Sequence, residues 1–346
     1  AGIIYVFRYI VISLHVHYGV KKIYGFPYVY QGLNPAYGHE PIDLTPMLVN
    51  PIGETGGTML ASSRGGQDTS IMVDTLERMK IGILFCIGGD GTQRGALDIS
   101  EEARKRNIKL SVIGIPKTID NDISFVQKTF GFETAVAEAK RATSAAHVEA
   151  TGAPNGIGLV KLMGRDSGFI AAYSVLVDNQ VNFCLIPEVP FALEPFLAAL
   201  KERIEQRKHA VIVVAEGAGQ ELFASSGDRD ASGNIKYGDI GVFLRDAIKE
   251  HFKGIGMEVN LKYIDPSYSI RSQPANPHDS AICLLMGHNA VHAGMAGRTG
   301  MIIGFWNHQF THVPISLAVS ERRKIDPQGW LWNSVIAATG QPVNMI

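Results

Sequence analysis

Residues 81–122 read IGILFCIGGDGTQRGALDISEEARKRNIKLSVIGIPKTIDND, and the fold class follows from them. Two apolar runs, 83–87 and 110–115, have the length and branched composition of buried strands. Residues 92–106 between them follow the helix period, so the stretch predicts one βαβ unit. Parallel strands joined by a right-handed crossover point the same way, and the segments leaving their carboxyl ends share one crevice.

Those segments are GGDGT at 88–92 and PKTIDND at 116–122. Glycines let backbone N–H groups approach a phosphate closely, and a helix opening at Thr92 adds its positive dipole end. Gly89, Asp90, Gly91 and Thr92 are therefore candidate polyphosphate contacts. Transfer of a phosphoryl group to a hydroxyl needs a base, a divalent cation on the phosphate oxygens and positive charge around the transition state. Asp90 suits Mg²⁺, which takes one or two carboxylates together with phosphate oxygens and water. Asp120 or Asp122 suits the base, and Lys117 converges on the same place.

Upstream, residues 2–16 read as a buried helix. A signal peptide is disfavoured because Arg8 interrupts the run and both a basic n-region and a small-residue cleavage site are lacking. Residues 22–26 and 58–62 read as short strands, separated by a Gly-, Pro- and Asn-rich loop at 32–51. The second runs into SRGGQD at 63–68, where Arg64 and Gly65 are further phosphate candidates, and then into a helix at 70–80.

Downstream, helices are expected at 133–147, from 169, and at 193–207, 240–252 and 279–297, with strands at 156–163, 183–187, 210–215, 259–264 and 300–306. Groups just beyond the carboxyl ends of such strands meet ligands. This marks Arg165, Glu216, Tyr268 and Arg271. Residues 218–238 are polar and turn-rich and read as an exposed loop or lid.

A chain of 346 residues, 46% hydrophobic and with net charge −1, buries a large core and is neither disordered nor membrane-built. Charged residues make up 19% and balance in sign, so the chain lacks the electrostatic footprint of a nucleic-acid or anionic-lipid binder. The run Arg322-Arg323-Lys324 reads as solvated surface. The 3 cysteines form no CxxC pair, which argues against a disulfide framework or zinc site and fits a reducing compartment. His288 and His292 stand four apart without an evident third ligand and read as packing residues. Walker, GxGxxG and Ser-His-Asp patterns are absent.

Together, GGDGT, PKTIDND, LMGRDSG at 162–168, VAEG at 214–217 and PSYSIR at 266–271 resemble the 6-phosphofructokinases, specifically their plant and trypanosomatid-like ATP-dependent group. The likeness runs from about residue 10 to residue 343. It implies a phosphofructokinase-like α/β fold: two mostly parallel sheets in Rossmann-like lobes with the active site in the cleft between them. An ATP-binding lobe is expected near 1–150, a sugar-phosphate lobe near 151–320, and a C-terminal extension over 321–346.

The resemblance further implies transfer of the ATP γ-phosphoryl group to the 1-hydroxyl of fructose 6-phosphate in glycolysis, by a cytoplasmic, Mg²⁺-dependent homo-oligomer (dimer or tetramer). Carried over by motif, Asp120 is the proton acceptor, with Lys117, Asp122 and Arg165 beside it, and Asp90 is the Mg²⁺ contact. Arg64, Gly65, Gly89, Asp90, Gly91 and Thr92 contact ATP. Thr118, Ile119, Asp120, Met163, Gly164, Arg165 and Glu216 line the sugar, and Tyr268, Ser269, Ile270 and Arg271 hold its 6-phosphate end.

Relatives that use pyrophosphate typically carry Asp at the position of Gly91, where a carboxylate would crowd and repel an α-phosphate. Gly91 thus favours ATP, whereas Lys117 is often seen in pyrophosphate users. The chain also departs from the family. It shows Gly2-Ile3-Ile4-Tyr5 where Gly-Leu-Asn-Asp is usual, Val29 and Gln31 where Gly and Arg are expected, and Arg298 where an uncharged residue is usual. An N-terminally incomplete chain is the expectation, with a sheet edge left unpaired and apolar surface exposed beside it. A non-catalytic homologue that has lost its first ATP loop is the competing reading.

Overall fold

The structure, a computed structural model, describes residues 2–54, 56–223 and 236–346. It separates into two compact units. The first takes in Ala1–Glu133 and Ser272–Arg322, and the second Thr134–Asp228, Ile235–Arg271 and Arg323–Ile346. The division follows contact and not chain order: Ser272–Arg322 returns to the first unit, where the sequence reading puts it in a second lobe.

In chain order, α1 spans Ile3–Tyr18, β1 (Tyr24–Gly25) pairs with β2 (Ile42–Asp43), and α2 (Pro46–Val49) and α3 (Thr69–Arg78) lead to β3 (Ile83–Gly88). Then come α4 (Asp90–Lys105), β4 (Ser111–Pro116), α5 (Phe132–Thr151), β5 (Gly156–Leu162), α6 (Phe169–Leu176) and β6 (Phe183–Leu185). They are followed by α7 (Leu193–Arg207), β7 (His209–Ala215), α8 (Ile240–Gly254), β8 (Asn260–Ile264) and α9 (Ser267–Ser272). The chain closes with α10 (Pro277–Met295), β9 (Met301–Trp306), β10 (Gln309–Pro314), α11 (Ile315–Ala318) and α12 (Trp330–Thr339).

The main sheet of the first unit has the order β10-β9-β4-β3. It is parallel from β9 to β3, and β10 is added by an antiparallel hairpin. Every residue of β4 is buried, as expected for a strand covered on both faces. The helix α4 places Gln93, Ala96, Ile99 and Ala103 on its buried face, and full burial of Ile99 contributes about 1.5–3 kcal/mol. The opening helix α1 buries Val6, Ile10 and Leu14 in one core with Met286 and Ala290 of α10. Among the described residues β3 pairs on one side only, with β4, and an apolar hollow of about 630 Å³ runs along it, walled by Phe7 and Val11 of α1.

In the second unit the order is β6-β7-β5-β8, parallel throughout. Ile157, Leu159, Ile212 and Val214 pack with Leu200, Leu244 and Ile248 of the covering helices. The C-terminal segment is part of this unit and not an appended extension. The Gln341 side chain accepts from the Cys184 N–H at 2.6 Å and donates to the Cys184 carbonyl at 3.2 Å, and Met345 is buried in the same core.

One local expectation fails. Residues 58–62 form no strand, because Gly57 and Ala61 sit at φ 84° and 56°, in the left-handed region that ends extended pairing. PSYSIR forms the helix α9, whose Ser267 N–H and hydroxyl both bond the Asp265 carboxylate.

Candidate active site

In the first unit, β3 and β4 end level, Gly88 opposite Pro116. The Lys117 N–H donates to the Gly88 carbonyl at 2.8 Å, so GGDGT and PKTIDND start from one hydrogen-bonded rim. Gly89 caps α4 with extended backbone, and α4 begins at Asp90, two residues before the expected Thr92. Periodicity cannot see this start, because glycines carry no apolar signal. GGDGT is thus the first turn of a helix, where backbone N–H groups lack intrahelical partners and suit an anion.

Gln93 fixes this geometry, and the sequence reading misses it. Its buried side-chain amide lies 3.0 Å from the Gly88 carbonyl, 3.1 Å from Ile115 and 3.3 Å from Cys86, stapling the ends of β3 and β4. A Cβ at Gly114 would overlap the Gln93 Oε1, so the two residues are matched. The available signal is a glutamine on the otherwise apolar face of α4.

PKTIDND is held by its own polar groups. The Asp120 N–H donates to Thr118 Oγ1 at 3.1 Å, and the Thr118 hydroxyl donates to Asp122 Oδ1 at 3.3 Å. Asn121, at φ 56°, accepts the Thr129 N–H at 2.9 Å, and the Thr129 hydroxyl donates to the Thr118 carbonyl at 2.7 Å. Asp122 is buried, whereas Thr118, Ile119 and Asp120 are partly exposed.

The carboxylates differ in what they meet. Asp90 Oδ2 lies 3.0 Å from Arg94 Nε and 4.0 Å from Arg322, and Asp122 Oδ2 lies 3.7 Å from Arg322. Arg322 is therefore not solvated surface, and the neighbouring Arg323 stacks 4.5 Å over the Phe169 ring. Both contacts on Asp90 fall on Oδ2, which points to Oδ1 as the oxygen suited to a cation. Among the described residues no group of three or more His, Cys, Asp or Glu side chains could hold a metal, so a cation here relies on one carboxylate plus ligand oxygens. That is the coordination Mg²⁺ accepts. Arg64 and Gly65 lie exposed in the same unit, leading into α3, whose Asp68 cap accepts the Ser70 N–H at 2.8 Å.

In the second unit, β5 and β7 also end level, Leu162 opposite Ala215. The Glu216 N–H donates to the Leu162 carbonyl at 2.9 Å and the Gly217 N–H to Gly164 at 3.1 Å. Gly164 adopts φ 133°, and a Cβ on Gly217 would overlap the Arg165 carbonyl, so only glycines allow this nesting. Met163, Gly164, Arg165 and Glu216 are thereby brought together. Met163 is buried, 3% exposed.

Arg165 lies over the ring of Tyr237, which the sequence reading leaves inside an undifferentiated loop. Residues 224–235 of that loop lie outside the described residues. Lys161, two residues before Met163, pairs with Asp265 at 2.9 Å and Asp239 at 3.2 Å. Burial works against its charge, but the bond to Asp265 and the surrounding acidic groups hold its pKa above the ordinary value. It ties the segments bearing Tyr237 and α9 to β5. On α9, Tyr268 is 84% exposed with Ser269 and Arg271 also exposed, whereas Ile270 is 2% exposed. The expected ligand contact of Ile270 can therefore not come from its side chain.

The family model for phosphofructokinase matches residues 2–294. The chain belongs to the phosphofructokinase family. It is 54% identical over 350 residues to the ATP-dependent 6-phosphofructokinase of Borreliella burgdorferi, covering 98% of this chain and 78% of that protein. It is 48% identical over 351 residues to the enzyme of the same name from Amycolatopsis methanolica, covering 99% and 76%. The Trypanosoma brucei brucei protein of that name is 48% identical over 321 residues, covering 92% and 66%. The pyrophosphate-dependent phosphofructokinase of Marinobacter aquaeolei superposes with a TM-score of 0.77 at 20% identity, over 94% of this chain and 82% of that one. That likeness establishes the shared phosphofructokinase fold. No helix among the described residues is long and apolar enough to cross a membrane.

Proposed function

We propose that this chain transfers the γ-phosphoryl group of ATP to the 1-hydroxyl of fructose 6-phosphate, giving fructose 1,6-bisphosphate and ADP, a step of glycolysis. The observation that carries the reading is the hydrogen-bonded rim joining GGDGT to PKTIDND, with Asp122 engaged by Thr118 and Arg322 and Asp120 partly exposed in the same turn. Asp120 takes the proton of the 1-hydroxyl as its oxygen forms the new bond to phosphorus, and the bridging oxygen leaves with ADP. Asp122 orients that turn.

Asp90 Oδ1 and the donor's phosphate oxygens would hold Mg²⁺, which supplies charge neutralisation on those oxygens. The first turn of α4, through Gly89, Gly91 and Thr92, receives the donor phosphates, with Arg64 and Gly65 as further contacts. Lys117 and Arg165 offset charge in the transition state. Gly164, Glu216 and the Met163 backbone, with Thr118 and Ile119, bind the sugar. Tyr268, Ser269 and Arg271, with the Ile270 backbone, hold the 6-phosphate. ATP is favoured over pyrophosphate because a Cβ at Gly91 would meet nothing within 4 Å, so glycine there leaves room for an α-phosphate and serves no internal packing. The family resemblance supports a homo-oligomer, dimer or tetramer, and the buried free cysteines fit the cytoplasm.

A coupled assay of the purified protein with fructose 6-phosphate tests the reading. Turnover with MgATP exceeding that with pyrophosphate is expected, and Asp120→Asn should lower kcat at least about a hundredfold with little change in sugar affinity. Faster turnover with pyrophosphate overturns the donor assignment. The absence of any turnover favours the non-catalytic homologue, and near-normal turnover of the variant removes Asp120 from the role.

A further inference from the structure

Lys161 stands one residue before the end of β5, with its side chain 14% exposed. Its ammonium lies 2.9 Å from Asp265 Oδ2 and 3.2 and 3.3 Å from the two Asp239 oxygens. Both partners also cap helices. Asp239 is the N-cap of α8, and its Oδ1 accepts the N–H groups of Gly241 at 3.1 Å and Val242 at 3.2 Å. Asp265 follows β8, and its Oδ1 accepts the Ser267 N–H at 3.0 Å together with the Ser267 hydroxyl, while Oδ2 meets the lysine. The parallel pairing of β5 with β8 ends at Val160 opposite Ile264, so Lys161 and Asp265 are the next residues on neighbouring strands. Where the backbone ladder stops, the ion pair continues it through side chains.

We infer that Lys161 is a positioning residue for fructose 6-phosphate binding, acting through Asp265 on the placement of α9. The inference rests on the reading above, in which Tyr268 and Arg271 of α9 hold the 6-phosphate. The two capped helices differ in what else fixes them. The helix α8 buries Ile240, Leu244, Ile248 and Phe252, and that face seats it without Lys161. The helix α9 has 6 residues and buries only Ile270, with Tyr268 and Arg271 exposed. A helix this short does not hold itself in place by propensity, so its capped end decides its orientation. Without the ammonium, two carboxylates aimed at helix N–H groups would repel each other and a phosphate arriving at α9. Lys161 thus reaches the sugar-phosphate end without touching it.

Calorimetric binding of fructose 6-phosphate and, separately, of MgATP tests this on the wild-type protein, Lys161→Met, Lys161→Arg, Asp265→Asn and the variant carrying both Lys161→Met and Asp265→Asn. Lys161→Met should lower fructose 6-phosphate affinity about tenfold and leave MgATP affinity within about twofold, because the proposed donor contacts lie in the first unit. Lys161→Arg keeps the charge and should recover part of the loss. In the Asp265→Asn background the same Lys161→Met change should cost less than about threefold, since the partner it acts through is already altered. Unchanged sugar affinity in folded Lys161→Met overturns the inference, as does equal loss of both ligands or a loss that persists in full beside Asp265→Asn. Should Lys161→Met fail to fold, Asp265→Asn decides: sugar affinity equal to wild type overturns the inference, and a loss confined to the sugar supports it. If the wild type binds no fructose 6-phosphate, the reading above fails, and hydrogen exchange at the Ile270 amide still reports on the positioning role. Faster exchange there in Lys161→Met, with β7 unchanged, supports it, and unchanged exchange overturns it.

Discussion

The Arg165 guanidinium lies over the Tyr237 ring, 4.5 Å from its centroid, and the Tyr237 hydroxyl donates to Asp166 at 3.3 Å. The ring thus orients the arginine proposed to offset transition-state charge. A cation–π contact at a partly exposed site is worth about 0.5–1 kcal/mol, so Tyr237→Ala should lower kcat/KM for fructose 6-phosphate about two- to fivefold. Tyr237→Phe keeps the ring and should stay within about twofold. Steady-state kinetics that find Phe as damaging as Ala would assign the effect to the Asp166 bond instead.

Gly91→Asp separates folding from donor recognition. The site of the new Cβ is open, so the thermal midpoint should hold. A carboxylate beside the donor phosphates should nevertheless raise KM for MgATP at least about tenfold by like-charge repulsion. An unchanged KM would mean that the donor lies elsewhere.

Val29 adopts φ 55° next to Tyr28 at φ 58°. A β-branched residue in the left-handed region is strained by roughly 1–2 kcal/mol, and the family resemblance leads one to expect glycine here. Val29→Gly should therefore leave stability unchanged or improve it, although the same change in an ordinary turnless segment costs about 1 kcal/mol or more. Chemical denaturation of the variant beside wild type measures the difference directly.

His288 titrates below its ordinary value of 6.5, because burial disfavours its charge and His17 and His292 repel it. A depressed pKa in the folded state contributes stability above the unfolded value, and that contribution is lost as pH falls through the folded value. Thermal midpoints should thus fall on acidification from about pH 6.5 downward, and His288→Gln should flatten that slope. A slope indifferent to the substitution would shift the effect to other groups.

The crossover that organises the first unit was legible in residues 81–122 because strand runs and a helix period are local properties. The same holds for Arg165 and Glu216, which follow strands readable on their own. Three kinds of residue were not legible. Gln93 and Tyr237 act through partners brought to them by tertiary contact. Arg322 carries a charge whose partners are some two hundred positions upstream, and a basic run by itself reads as surface. Ile270 belongs to a motif matched as a string, and only the helical phase of α9 turns its side chain into the core.

The strand that delivers GGDGT is the one with backbone partners on a single side among the described residues. Half of the amides of β3 consequently face the hollow and not another strand, and they should exchange with deuterium ahead of those of β4. Phosphate contacts at the end of β3 stiffen the same strand, so bound MgATP should slow that exchange. By reciprocity, any apolar or extended ligand that seats in the hollow and pairs with β3 should tighten MgATP binding by the same factor by which MgATP tightens its own. Nucleotide affinity should therefore respond to how well one sheet edge is covered, since Thr92, proposed to receive the donor phosphates, also lines the hollow.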